Sequence, residues 1–376
     1  MISDGSSYLG SAGQAIISNT HAWLVTDSRF WVQAEEELDL SLWEIGKVRG
    51  GGLPGDWVEW LLNVELGKGK KKGRVGIDPE VVSVEDAIRL AAGMKKGQVE
   101  VLYPTENLVD KVWEAEGGRP LQSENPVFIH SIEFAGETAE SKLSRLRTWM
   151  DGVEDDEAQV LGVVVTSLPE IAYLLNLRGA DIEFNPLFHA YLYVGHDATL
   201  LFLDTAKVPA EVDAYLRDAG IQRQEYADIW IFLTEKKWSE TRVNGKVIIS
   251  PQTSLAIARA LTYSGSSMYI ILPSEVERMK AVKNSTEIEG LRKAYLRDGI
   301  CFVRFLAWLE SQVTSGQQIT EWDAAQKLNS IRTEATYYQG LASENISASG
   351  PSAALPHYVP KKEAARVVDT QTPYLK

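Results

Sequence analysis

Two side chains of this 376-residue chain stand where chemistry could be done, and they lie near its opposite ends. His357 follows Gly350 and Pro351 in the small-residue stretch "SASGPSAALPHY". Backbone can approach a ligand closely there, and an imidazole can donate or accept a hydrogen bond. Arg29 sits in "VTDSRFW", between a β-type run and a helical one, beside Asp27 and before Phe30 and Trp31. A guanidinium in that place can pair with the local acid or bind a carboxylate or carbonyl through two parallel hydrogen bonds. His357 also reads as a surface or structural histidine. Residue types alone leave both pairs of alternatives open.

Other chemistry has little support. The five histidines are His21, His130, His189, His196 and His357, and none falls in a His-Glu-x-x-His or His-x-x-x-His pair. No cysteine cluster accompanies them, so local metal-ligand spacing is absent. There is no Gly-x-Ser-x-Gly elbow, no Walker loop and no Gly-x-Gly-x-x-Gly, and "GGG" at 50–52 reads as a flexible turn. Cys301, the single cysteine, lies beside Phe302 on a helical stretch and reads as a buried, inert thiol.

Composition narrows the class. With 52 acidic against 38 basic residues the net charge is −14, which argues against nucleic acid and anionic membranes as partners. A solvated acidic surface or a basic partner fits that balance. Hydrophobic content of 44% with 24% charge is that of a globular chain, and the length suggests two or three domains. One cysteine allows no intrachain disulfide and points to a reducing compartment. Neither a basic leader nor an 18-residue apolar run is present, so the working assignment is cytoplasmic, and the sequons at Asn284 and Asn345 carry no weight.

The elements that must position Arg29 and His357 follow from local patterns. "QAIIS" and "AWLVT" flank "SNTH" and predict a hairpin, with "FWVQAEEEL" turning helical after Arg29. "RVGID" and "QVEVLYP" read as strands around "VEDAIRLAAGM", which Ser83 and Asp86 cap, and a break follows near 116–126. Next come the helix "SKLSRLRTWM", the acidic linker "DGVEDDEA" and the continuous apolar run "QVLGVVVTS", a strand covered on both faces. "HAYLYVG", "ATLLFLD" and "GKVIIS" read as further strands, with "PAEVDAYLRDAG" (Gly220 near its C-cap) and "TSLAIARAL" as helices. Past Pro273, Asn284 and Glu287 open a long helix with Ile288, Leu291, Tyr295, Phe302, Phe305, Leu309 and Val313 on one face. Thr320 and Asp323 open another through Leu328 and Ile331.

Taken together, "SAGQAIISNTHAWLVTDSRFWVQAEEEL", "ENLVDKVWE", "LPEIAYLLNLRGADIEFNPLFHAYLYV", "KAVKNSTEIEGLRKAYLRDGICFVRFLAWLE" and "SASGPSAALPHY" resemble the cytosolic three-domain Xaa-Pro aminopeptidases (aminopeptidase P). These are creatinase-like metallopeptidases with the pita-bread fold, and "LRGADIEFNP" at 177–186 is particularly specific to that group. The resemblance implies an α/β protein with two creatinase-like N-terminal domains, at 1–122 and 123–273, and the start of a pita-bread catalytic domain at 274–376. It implies a parent activity: metal-dependent release of the N-terminal residue from peptides with proline at the second position. Two Mn²⁺ (or Zn²⁺) ions, held by two Asp, one His and two Glu, serve the complete enzymes, which are expected to form homodimers. Arg29 and His357 match substrate-contacting residues of the family.

The departures set further expectations. "TPYLK" aligns with the strand leading into the family's Asp-Ser-Gly-Ala-Gln-Tyr motif, and none of the metal ligands is present. "MISDGSSYL" does not follow the family pattern either. The first domain is therefore expected to be incomplete at its N-terminal side and the third at its C-terminal side, as in a fragment. The chain itself is expected to bind neither ion and to be inactive as it stands. The helix at 285–313 is expected to leave Ile288, Phe302, Phe305 and Leu309 uncovered. The alternative is a non-catalytic module binding peptides or basic proteins.

Overall fold

A computed structural model describes residues 8, 10–66, 73–97, 99–119, 121–155, 159–239 and 245–376. Most of "MISDGSSYL", the last three residues of "DGVEDDEA" and the first residue of "QVEVLYP" lie outside them.

Strands β1 (Gln14–Ile17) and β2 (Ala22–Asp27) form the expected antiparallel hairpin, its turn closed by His21 N donating to Ser18 Oγ at 3.1 Å. Helix α1 (Trp31–Glu37) follows, and β3 (Trp43–Val48) returns parallel to β2, giving a sheet ordered β1-β2-β3. "WEIGKV" carries two charges and a glycine, so its strand character comes from pairing with β2 rather than from its own alternation. Then come α2 (Trp57–Trp60), a π-helical turn at Leu61–Glu65, β4 (Gly73–Gly76), α3 (Val84–Gly97), β5 (Val99–Leu102) and α4 (Leu108–Ala115). Ser83 caps α3 through Asp86 N, 3.0 Å from its Oγ.

The middle of the chain is β6 (Phe128–Ile129), α5 (Ile132–Ala135), α6 (Ala139–Asp151), β7 (Gln159–Val165), α7 (Leu168–Leu175), β8 (Leu177–Arg178), β9 (Ala190–Gly195) and β10 (Thr199–Leu203). It continues through α8 (Ala210–Asp218), β11 (Ile221–Glu225), α9 (Asp228–Thr234), β12 (Gly245–Ile249), α10 (Leu255–Ala260), β13 (Thr262–Tyr263), β14 (Ser266–Ser267), β15 (Tyr269–Ile271) and α11 (Glu275–Ala281). Six strands make one mixed sheet in the order β11-β10-β9-β7-β12-β15. Strands β7, β12 and β15 run parallel, while β9 is antiparallel to both β7 and β10. As its unbroken apolar run requires, β7 is buried on both faces. Val160, Val163 and Val165 join one core with Leu146 and Ile171, and Leu161 and Val164 join another with Phe232 and Ile257. A Cβ at Gly162 would lie 2.5 Å from the ring of buried Tyr193, so any larger residue there would displace that ring. Gly220, at φ 69, closes α8 in the left-handed region that the C-cap reading anticipates.

Helix α12 (Ser285–Thr314) begins with the expected reciprocal cap: Glu287 N donates to Asn284 Oδ1 and Asn284 N to Glu287 Oε2, both at 2.9 Å. Ile288 is exposed as expected, together with Leu291 and Tyr295, and Cys301 is buried, as its reading as an inert thiol anticipates. Phe305 and Leu309, expected to be uncovered, are instead buried, and Phe302 is partly buried beside them. The reason is local: α13 (Glu321–Thr333) supplies Ala324, Leu328 and Ile331 to the second half of α12, and Val368 completes that cluster. Thr320 and Asp323 form the anticipated capping box of α13. β16 (Ala348–Ser349) and β17 (Tyr374–Leu375) pair antiparallel beyond it.

By internal contacts the chain falls into two units, one of Met1–Val75, Leu90–Arg119 and Lys293–Lys376, the other of Gly76–Arg89 and Pro120–Arg292. Among the described residues no helix is long and apolar enough to cross a membrane.

Candidate functional site

Strand β2 ends at Asp27, only 8% exposed, and the chain turns at once into α1, with Phe30 N donating to Asp27 O at 3.0 Å. That turn folds Arg29 back onto Asp27. Arg29 Nε donates to Oδ1 at 2.9 Å, Nη2 to Oδ2 at 2.7 Å, and the Arg29 backbone N–H also reaches Oδ1, at 3.1 Å. These bonds hold the Asp27 carboxyl below the usual carboxylate range, because they favour its charged form. The fork fixes the plane of the guanidinium while 54% of the side chain stays exposed. The guanidinium carbon also stands 5.1 Å from the centre of the Phe30 ring. Arg29 therefore does pair with the local acid, and in doing so it becomes a fixed, exposed cation.

The second candidate residue is His357. It lies past a 3₁₀ turn at Gly350–Ala354, on an exposed stretch of loop. Its imidazole stacks on Phe30 with 5.1 Å between ring centroids and 9° between the planes. Phe30 is fully buried, within a cluster of Tyr8, Leu24, Ala34, Leu38 and Trp43. One rigid aromatic side chain thus carries a cation beside it and an imidazole on it. Nothing in the spacing of residues 27–30 and 357 could have announced this meeting.

The remaining candidates serve local structure. His21 stacks on Trp23, and His196 holds Val160 O at 2.9 Å through Nε2. The His189 backbone N–H donates to Asp181, which also accepts from Lys207 Nζ at 2.9 Å within the "LRGADIEFNP" segment and its surroundings. His130 is pushed down to about 4 by burial, with Arg178 and Lys142 adding repulsion. Cys301 is buried, with Sγ 3.8 Å from Ile331 O. Lys142 escaped the sequence patterns altogether: it lies on a helix, yet it is only 1% exposed. Its Nζ donates to Tyr173 O at 2.9 Å and Asn176 Oδ1 at 2.7 Å, closing the C-terminal end of α7, and burial pushes its ammonium down to about 8.

Among the described residues no group of three or more His, Cys, Asp and Glu side chains could hold a metal ion. The two-ion site implied by the resemblance does not fit the residues described.

Family models match in series: a creatinase/prolidase N-terminal domain over residues 5–112, a second creatinase/prolidase N-terminal domain over 118–287, and metallopeptidase family M24 over 289–373. A probable Xaa-Pro aminopeptidase P of Sordaria macrospora is 36% identical over 377 residues, covering 98% of this chain and 59% of the relative. One from Tuber melanosporum is 35% identical over 386 residues with the same coverage. The solved structure of an X-prolyl aminopeptidase from Caenorhabditis elegans, described as a cytosolic enzyme with a di-nuclear active site, matches with a TM-score of 0.89 at 28% identity. It covers 98% of this chain, which spans 58% of that one. The chain thus spans less than two thirds of the length of the relatives it matches.

Proposed function

We propose, from the premise that this chain is a homologue of the Xaa-Pro aminopeptidases P with two creatinase-type N-terminal domains and part of an M24 domain, that Arg29 and His357 form its substrate-contact surface. The observation that carries the reading is the Phe30 ring, which brings these two residues together from opposite ends of the chain. A fixed guanidinium suits a peptide carbonyl or carboxylate, and an exposed imidazole on a rigid platform suits a hydrogen bond near the scissile peptide. The parent reaction is release of the N-terminal residue from peptides with proline at the second position. In the complete enzyme Mn²⁺ or Zn²⁺ ions supply the activated water. The described residues offer no set to hold them, so no catalytic step is assigned to this chain, which we read as binding such peptides without cleaving them. Domain limits of 1–122, 123–273 and 274–376, a cytoplasmic location and a homodimer belong to the same reading.

A second reading, a module that binds basic partners, draws on the net charge of −14. One experiment separates the two. The purified chain is titrated calorimetrically with Arg-Pro-Pro and with Arg-Ala-Ala, in the presence of Mn²⁺, and the supernatant is assayed for free arginine. The expected result is proline-dependent binding without product, weakened about tenfold, roughly 1.4 kcal/mol, by His357→Gln or Arg29→Gln. Cleavage that either substitution abolishes would overturn the non-cleaving assignment. Equal binding of both peptides, falling steeply with salt, would sink the substrate-contact reading in favour of the second.

A further inference from the structure

We propose that Glu321, acting with Tyr358, is a positioning residue that holds His357 against Phe30; the functional weight of this rests on the reading of His357 as a substrate contact. Glu321 occupies the first turn of α13, right after the capping residue Thr320, and is fully buried. A buried carboxylate is costly unless donors surround it. Here the donors all come from one stretch, the loop that carries His357. Ser349 N donates to Oε1 at 2.6 Å, Arg366 N to Oε2 at 2.9 Å, and the Tyr358 hydroxyl to Oε2 at 2.8 Å. The Glu321 backbone is engaged as well: its N–H donates to Arg366 O at 2.8 Å, and its carbonyl accepts from Ser347 Oγ at 2.7 Å.

Ser349 and Arg366 bracket the loop, and Tyr358 is the immediate neighbour of His357. A single side chain therefore clamps both ends of the loop and the residue next to the imidazole. His357 is itself exposed and its imidazole rests on Phe30. Such an imidazole keeps one orientation only if its backbone is fixed, and the Glu321 carboxylate does the fixing. Glutamine cannot replace it. Its amide would place an N–H opposite either the Ser349 or the Arg366 backbone N–H, donor against donor, on whichever side it turned. Tyr358→Phe is the milder variant, removing one hydroxyl and leaving the backbone bonds.

The test is proton–carbon NMR of the imidazole Cε1–Hε1 groups in the full chain labelled at histidine. His357→Gln assigns the His357 signal, and Phe30→Leu gives its position without the ring current of the stack. We expect Glu321→Gln and Tyr358→Phe to move the His357 signal toward that unstacked position while the signals of His21, His130, His189 and His196 stay in place. A role confined to general stability would move all five or none. An unmoved His357 signal in the folded variants overturns the proposal, and Tyr358→Phe alone decides if Glu321→Gln fails to fold. Arg-Pro-Pro is titrated into the same samples. If the His357 signal responds to the variants as expected and no peptide binds the wild type, the positioning role stands and the substrate reading falls. If peptide binds the wild type and Tyr358→Phe binds it as tightly with His357 still stacked, the reading stands and the positioning role falls.

Discussion

The imidazole of His357 lies almost parallel to the ring of Phe30, 9° between planes and 5.1 Å between centroids, and this stack joins the loop after Gly350 to the start of α1. Phe30 has no exposed surface, so its removal is felt in the core as well as at the site. Phe30→Ala is expected to cost about 3–5 kcal/mol in urea unfolding, the range for emptying a buried aromatic site. Phe30→Leu keeps more of the packing and is expected to cost less while still unstacking His357. A loss below about 1 kcal/mol for the alanine variant would mean that Phe30 is no core residue.

Asp27 is expected to matter through Arg29. Asp27→Asn keeps the shape but gives up the second acceptor oxygen and the charge that the guanidinium fork requires. Its folded-state carboxyl is held below the ordinary value, so its contribution to stability is present above about pH 4 and is lost as the pH falls through the lower folded value. The wild-type advantage over Asp27→Asn should therefore be flat from pH 5 to 8 and vanish in acid, read by denaturant titrations across that range. An advantage that grows on acidification would contradict the assignment.

His130 should make the protein acid-sensitive in a different window. Burial pushes it down to about 4, so between the ordinary histidine value near 6.5 and that point the unfolded chain binds the extra proton. Stability is thus expected to fall by about 2 kcal/mol as the pH drops from 6.5 to about 4, then to level off as far as this group is concerned. His130→Gln should flatten that slope in the folded variant. An unchanged slope would move its origin elsewhere.

Lys142 gives the opposite end of the pH scale. Its ammonium, ordinarily near 10.4, is pushed down to about 8 by burial, so above pH 8 the unfolded chain holds a proton that the folded chain has released. Stability should rise on going from pH 8 toward 10 because of this group, and Lys142→Met should remove the rise. At pH 7 the same variant leaves Tyr173 O and Asn176 Oδ1 without their donor, a loss of about 1–3 kcal/mol against which relief of the buried charge works. Thermal unfolding of both proteins at pH 7 and 9.5 reads both effects.

Local chemistry determined a good part of this protein before any long-range contact formed. The hairpin at 14–27, the caps at Asn284–Glu287 and Thr320–Asp323, and the doubly buried β7 are each set by neighbours a few residues away, through turn propensity, capping hydrogen bonds and an unbroken apolar run. Ordered motifs likewise carried the family, since resemblance reads residue identity along the chain. Closure of the chain decided the rest. Whether Ile288 is exposed and Leu309 buried depends on where α13 returns to α12, and periodicity is blind to that. β3 became a strand by pairing with β2, and Lys142 became a buried cap by meeting the end of α7. The placing of Arg29 and His357 on one Phe30 ring joins residues from opposite ends of the chain, and that of Glu321 beneath the loop that carries His357 joins residues well beyond the reach of local patterns. A stacking contact and a buried carboxylate exist only once both partners are in place, so tertiary structure alone could bring them together.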